Sequence, residues 1–145
     1  MLRRYRLALV LLLTPILSAH AAQQVNTHCP AVDQIKPLPH GLYLAQTLEG
    51  DWTGISQNSR GQRIDRFKEA LVRLDSDSAN SGHFDGCRYQ IDGVDANIRL
   101  NMAGVGGARI ADADLSAWEE IEGPFGSAYL LCQSTDPTQC RMQLR

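Results

Sequence analysis

The sequence lacks the features by which most membrane proteins, metal domains and nucleotide-binding enzymes are recognised. Its one long apolar run, Leu7 to Leu17, is about half as long as the roughly 20 residues of a membrane-spanning helix. It has no Gly-x-Ser-x-Gly nucleophile turn, no Cys-x-x-Cys pair and no glycine-rich loop that ends in Gly-Lys-Ser/Thr. These absences argue against an integral membrane protein, a zinc domain and a P-loop protein.

The first 21 residues have the order of a secretory signal peptide. Arg3, Arg4 and Arg6 precede the apolar run, and Ala19-His20-Ala21 places small residues at the outer positions of a cleavage site. No cysteine stands at that point, which argues against a lipid anchor. We therefore expect a leader at 1–21 and a protein that works in the periplasm or is secreted, with no membrane span after cleavage.

The 124 residues after the leader are enough for one domain with a modest core. We divide them into an N-terminal arm at 22–40 and a single β-rich domain at 41–145. The leader holds three arginines and no acid, so the remainder has 11 basic and 16 acidic residues and a net charge near −5. Such a domain is a poor candidate for binding nucleic acid or an anionic membrane surface and a better one for a basic protein partner. A charge of this size is also ordinary for solubility. No pattern indicates a cofactor.

The four cysteines, Cys29, Cys87, Cys132 and Cys140, allow three pairings. Cys132 and Cys140 flank a stretch with Asp136-Pro137, which is turn chemistry and predicts a hairpin with a bridge across its base. Cys29 then pairs with Cys87 and ties the arm to the sheet. Because no closely spaced ligand pair exists among the cysteines and histidines, we expect two disulfides and no metal site.

Alternating apolar and polar residues predict antiparallel strands, most clearly at 97–102 and 140–145. Turn signals separate about seven short strands, with at most one or two short helices. Phe67 to Leu74 fits both a helical stripe and alternation, and we favour a strand. Asp112 to Glu120 fits a short helix, whereas Trp118 to Glu122 fits a strand equally well. The pattern predicts a mainly β fold, or an α+β fold, built as a small antiparallel sandwich or barrel.

Two patterns resemble functional motifs, a calcium loop and a catalytic base with its orienting acid, but each lacks a required residue. Asp75-Ser76-Asp77 with Asn80 begins like a calcium loop, but Ala79 occupies the fifth position, where an oxygen ligand is required. His83 and Asp85 share one face of a strand, as a base and its orienting acid would, but no nucleophile accompanies them. We therefore predict no catalytic residue and a protein that is not an enzyme.

Two segments are candidates for binding a partner. The glycine-rich stretch at 104–109 lets the backbone approach another molecule closely. In the stretch at 119–126, acidic residues surround Ile121 and follow a tryptophan, which either joins the core or docks a partner. The candidate partner-binding residues are Gly104, Gly106, Gly107, Arg109, Trp118, Glu119, Glu120 and Glu122.

Short motifs along the chain carry a resemblance. With Cys29-Pro30, Trp52-Thr53-Gly54, Cys87-Arg88-Tyr89 and the closing cysteine pair, the chain resembles a group of short exported bacterial proteins of unknown function. The resemblance spans everything after the leader and implies a disulfide-held β domain. It implies no activity.

These observations lead to one hypothesis and two alternatives. The leading hypothesis is a non-catalytic periplasmic binding protein, an inhibitor or immunity protein that blocks an envelope-targeted enzyme with one of the two candidate segments. The first alternative is a structural accessory subunit of an envelope secretion or pilus assembly, docked by strand addition. The second is a hydrolase, which requires a pocket where His83 and carboxylates converge.

Overall fold

The computed structural model describes residues 24–94 and 96–145, and the expected leader at 1–21 lies outside these residues. The described chain consists of short strands and turns, and the helix-like elements in it are 3₁₀ turns. No helix in the described ranges is long and apolar enough to cross a membrane. The strands are β1 (Val25–Thr27), β2 (Ile35–Pro37), β3 (Leu42–Gln46), β4 (Asp51–Ile55), β5 (Ile64–Leu74), β6 (Ser81–Ile91), β7 (Asn97–Met102), β8 (Gly107–Arg109), β9 (Glu119–Glu122), β10 (Ala128–Cys132) and β11 (Met142–Leu144). The 3₁₀ turns are Val32–Gln34, Pro39–Gly41, Asp112–Ala117, Pro124–Gly126 and Pro137–Gln139.

All strand pairs are antiparallel and belong to one curled sheet. One side of it runs in the order β9, β10, β5, β6. The other edge of β6 pairs two strands, β8 through Ser81–His83 and β7 through Cys87–Gln90. The sheet therefore divides along β6 into two branches, one ending in β8, β11 and β1, the other in β7, β4, β3 and β2.

The division coincides with an irregularity in β6. Leu71 faces Gly86 and Val72 faces Phe84, so that Asp85 is the extra residue of a bulge. Gly86 has a φ of 109°, and a Cβ built on it would lie 2.5 Å from Cγ of Arg99. Because a bulge bends its strand and increases the local twist, it turns the two branches away from each other.

The segment between β1 and β2 joins the far ends of the two branches. Cys29 is bonded to Cys87 with 5.8 Å between their Cα atoms, and the Tyr89 hydroxyl donates to the Pro30 carbonyl at 2.7 Å. Burial raises the pKa of the Tyr89 phenol, so the group remains a donor across the physiological pH range. Two adjacent residues of the segment are thus attached to the middle of β6, and residues 24–40 contribute the strands β1 and β2 to the sheet.

The core lies on the concave face of the curled sheet. Tyr43, Trp52 and Tyr89 are fully buried, and Trp52 meets the ring of Phe84 edge-on at 6.0 Å. Trp118 belongs to the same cluster, because it is only 7% exposed and its indole N–H donates to the Arg141 carbonyl at 3.2 Å. Each fully buried aromatic side chain removes 150–250 Å² from water, a large contribution in a domain of this size.

The structure confirms the mainly β fold and both disulfides, Cys29–Cys87 and Cys132–Cys140. Phe67 to Leu74 lies in β5, as expected. Residues 112–122 divide between a 3₁₀ turn and β9, so that each alternative describes part of them. The glycine-rich stretch at 104–109 includes a strand, because Gly107 exchanges two main-chain hydrogen bonds with Arg145, at 2.9 and 3.0 Å, and begins β8.

Candidate partner-binding surface

The β9–β10 hairpin forms one edge of the sheet. β9 pairs with β10 from Glu119↔Leu131 to Glu122↔Ala128, and with no other strand of the described ranges. Its outer edge therefore presents main-chain N–H and C=O groups that no neighbouring strand covers. An open edge of this kind can accept a strand from another molecule.

Three of the four β9 side chains are exposed carboxylates: Glu119, Glu120 and Glu122. Their partners across the hairpin, Leu131, Leu130 and Ala128, are apolar, and none of the three glutamates takes part in an ion pair within residues 24–94 and 96–145. Charges on an edge strand also discourage indiscriminate edge-to-edge pairing. The acids alone are therefore consistent with solubility as well as with a basic partner.

Phe125 distinguishes this hairpin from an ordinary solubilising edge. It lies in the turn between β9 and β10, its side chain is fully exposed, and its φ is +62°. A side chain in that left-handed conformation costs about 1–2 kcal/mol relative to glycine. The nearby ring of Tyr129 behaves differently, since it lies over Gly123, where an added Cβ would come within 2.3 Å of it. Phe125 thus carries a conformational cost without any burial that would repay it within the described fold.

A groove of about 760 Å³ lies beside the hairpin. Glu120 and residues 126–128 line one side, and the turn between β5 and β6 lines the other with Asp75 and Asp77. Arg73 is the one cationic side chain among the residues that line this groove. The acidic character of β9 therefore extends over the neighbouring turn, and a partner seated here meets several carboxylates. Phe125 precedes Gly126, one of the residues that line the groove.

The second candidate segment lies elsewhere on the molecule. Between β9 and β8 the sheet places β10, β5 and β6, so residues 104–109 and the hairpin do not form one surface. Gly104, with φ +75°, turns the chain before β8, and Arg109 is exposed at its end. The amides of Gly106 and Gly107 both donate to the main-chain oxygen of Arg145, so they are not free to cradle an anion.

Two aromatic residues near the hairpin differ from their treatment in the sequence analysis. Trp118 was named as a partner-binding candidate with the core as its alternative, and its side chain is buried in the core and presents almost no surface. Sequence reasoning treated Gly123-Pro124-Phe125-Gly126 only as a turn and did not single out Phe125. The available signal was an aromatic residue between turn-forming residues, a place where burial is hard to achieve.

His83 and Asp85 are the residues that the sequence offered as a base and its orienting acid. His83 is exposed, while Asp85 accepts from Arg99 at 3.1 Å and lies 3.7 Å from Arg88, so its carboxylate is engaged with arginines. All four cysteines are in disulfides. In the part of the chain that the structure describes, no three metal-ligating side chains come together.

Comparison with known proteins identifies a family. The family model described as "Protein of unknown function (DUF3757)" matches residues 23–143. The chain belongs to this family. No curated protein and no solved structure matches the sequence. The matched region contains both disulfides and the β9–β10 hairpin, and the family description assigns them no activity.

Proposed function

We propose that the protein is a non-catalytic binding protein that holds a basic partner at the β9–β10 hairpin. Its concrete form is a periplasmic inhibitor or immunity protein that acts on an envelope-targeted enzyme. The observation that carries the proposal is Phe125, fully exposed and in a left-handed backbone conformation, in the turn that follows a strand with three exposed glutamates.

The physical argument is that this hairpin combines the two parts of a protein interface. Aromatic side chains that become desolvated supply much of the binding free energy at an interface. Carboxylates around such an anchor steer a basic partner and disfavour acidic ones. Phe125 lacks a folding role among the described contacts, so its conformational cost is explained if the ring is buried against another molecule.

The compartment is argued from the cysteines. Two disulfides are typical of proteins outside the reducing cytoplasm. Together with the leader expected at 1–21, they support the periplasm as the place of action. A rigid, disulfide-held β domain also presents an edge hairpin with little conformational entropy left to lose on binding.

The test is site-specific photo-crosslinking in the cells that export the protein. A photoreactive phenylalanine analogue replaces Phe125, and in a parallel strain it replaces Leu48, which is as exposed but lies in the turn between β3 and β4. We expect one crosslinked basic enzyme from position 125 and none from position 48. Replacing the three glutamates by lysine should abolish that product.

A matched charge control separates a specific contact from general acidity. Asp33, Glu49 and Asp92 are exposed acids away from the hairpin and its groove, and their replacement by lysine should leave the crosslink unchanged. Equal products from positions 48 and 125, or equal loss in both lysine variants, would contradict the proposal.

The open edge of β9 supports the accessory-subunit alternative, because strand addition needs such an edge. Crosslinks from position 125 to several subunits of one secretion or pilus assembly would favour that function over inhibition.

A further inference from the structure

A row of basic side chains crosses the convex face of the sheet. Arg73 in β5 faces His83 in β6, and His83 faces Gly107 in β8. Arg145, which follows β11, exchanges main-chain hydrogen bonds with Gly107 across the edge of β8 opposite β6. Arg109 lies two residues from Gly107 along β8 and hence on the same face. Four strands thus bring together side chains that are distant in sequence.

Gly107 is at the centre of this row and has no side chain to separate its neighbours. A Cβ built on it would lie 3.0 Å from both Cγ and Nε of Arg145, so the Arg145 side chain extends over β8. Because β8 lies between β11 and β6, this direction leads towards His83. Arg145, Arg109 and His83 therefore surround one glycine, with Arg73 at the end of the row beside the acidic groove.

These arginines are not neutralised within residues 24–94 and 96–145. Arg73, Arg109 and Arg145 take part in none of the ion pairs there, whereas Arg88 and Arg99 on the same face are paired with Glu69 and Asp85. Two carboxylates near the row are engaged elsewhere: Asp85 accepts from Arg99 at 3.1 Å, and Asp112 lies 3.4 Å from the amide nitrogen of Asn80. Asp75 and Asp77 are exposed in the turn beyond Arg73, and the carboxyl group of Arg145, the last residue of the structure, accepts from the amides of Gly106 and Gly107.

We infer that Arg109, Arg145 and His83 form a binding site for a phosphate group, with Arg73 as an outer contact. A guanidinium presents parallel N–H donors that match two oxygens of a tetrahedral oxyanion, and an imidazole N–H adds a further donor. The side chains provide the site, since the amides of Gly106 and Gly107 are already bonded to Arg145. Arg109, Arg145 and His83 lie on or directly after strands other than those of the β9–β10 hairpin, and only Arg73 also lines the acidic groove. The inference does not depend on the function proposed for the hairpin. The phosphate is either free or carried by a lipid headgroup.

The experiment titrates inorganic phosphate into the isotopically labelled protein, purified after export with no addition at its C-terminal end, at constant ionic strength. We expect saturable shifts of the Gly107 amide and of the Arg109 and Arg145 side-chain N–H signals. The double variant R109Q/R145Q should bind at least about tenfold more weakly, because it removes both guanidinium groups and their charge-assisted hydrogen bonds. Arg109→Lys keeps the positive charge and loses the two parallel N–H donors of the guanidinium. Its affinity for phosphate should lie between those of the native protein and of R109Q/R145Q.

A second double variant, R60Q/R63Q, provides the matched control, because it removes the same charge from exposed arginines before β5. It should bind phosphate like the native protein. The amide spectrum of R109Q/R145Q should otherwise remain that of the folded protein. Equal weakening in both double variants would mean an adventitious charge effect and would overturn the inference.

Sedimentation with phosphatidylglycerol vesicles, compared with phosphatidylcholine vesicles, shows whether the phosphate group is free or belongs to a lipid headgroup. Saturable phosphate binding without sedimentation assigns the site to a free phosphate group. Phosphatidylglycerol-dependent sedimentation that R109Q/R145Q abolishes assigns it to a lipid headgroup. The absence of both saturable shifts and variant-dependent sedimentation would overturn the inference.

Discussion

The middle of the sheet and the β9–β10 hairpin differ in whether their charged residues are paired and their aromatic residues buried. On β5, β6 and β7 the charges form a connected chain, in which Arg88 contacts Glu69 at 2.9 Å and Asp85 contacts Arg99 at 3.1 Å. The aromatic rings there are buried, with Phe67 and Tyr89 packed edge-on at 5.4 Å. The hairpin instead exposes three glutamates and Phe125. Folding accounts for these ion pairs and buried rings of the centre, whereas the three glutamates and Phe125 have no ion pair and no burial among the described residues.

The largest expected loss of stability comes from removing the disulfide that ties the N-terminal segment to β6. Replacing Cys29 and Cys87 by serine should lower the free energy of unfolding by about 4 kcal/mol, because the bridge closes a loop across 58 residues. The corresponding change at Cys132 and Cys140, separated by 8 residues, should cost about 2.5 kcal/mol. Denaturant unfolding of both variants measures the difference. A smaller loss at the Cys29 bridge would mean that the N-terminal segment does not hold the two branches together.

An intermediate effect is expected at the bulge that divides the sheet. Gly86→Ala should lower the free energy of unfolding by about 2–4 kcal/mol, since alanine would adopt a φ of 109° and also meet Arg99 and Asn101. Gly61→Ala is the matched control, because Gly61 has a φ of 87° and open space around it. It should cost only about 1–2 kcal/mol. Equal losses in chemical denaturation would show that the packing of β7 over Gly86 contributes nothing.

The smallest effect on stability is expected at the hairpin. Phe125→Gly should leave the midpoint of thermal unfolding unchanged or raise it slightly, because glycine adopts the left-handed conformation without strain. His40 is the other non-glycine residue with positive φ, at 64°, and His40→Gly is the control. With the crosslinker placed at Ile121, only Phe125→Gly should weaken capture of the partner. A marked loss of stability in Phe125→Gly would assign the ring a folding role and contradict its assignment as an interface anchor.

Contacts in the structure explain several of the short sequence motifs. Cys29-Pro30 and Cys87-Arg88-Tyr89 are attached to each other twice, by the disulfide and by the hydrogen bond from Tyr89 to Pro30. In Trp52-Thr53-Gly54, Trp52 is buried in the core, and a Cβ on Gly54 would lie 2.3 Å from the Arg99 carbonyl. These residues maintain the fold, which explains why a resemblance based on them predicted architecture and no activity.

The strands and the disulfides could be predicted because they depend on local order. Alternation with a period of two reports which face of a strand is buried, and it located β7 and the last strand correctly. The turn at Asp136-Pro137 brings Cys132 and Cys140 together within nine residues, which left one pairing for the other two cysteines. Each of these inferences needed only neighbours along the chain.

The surfaces could not be predicted because they depend on which strands lie side by side. No local pattern shows that β6 pairs β8 at one end and β7 at the other, yet this division places His83, Gly107 and Arg145 in one row. Trp118 and Phe125 are both aromatic residues next to acidic or turn residues, and only tertiary packing buries one and exposes the other. Local hydrophobic order is encoded residue by residue, whereas exposure and charge pairing arise only when distant strands meet.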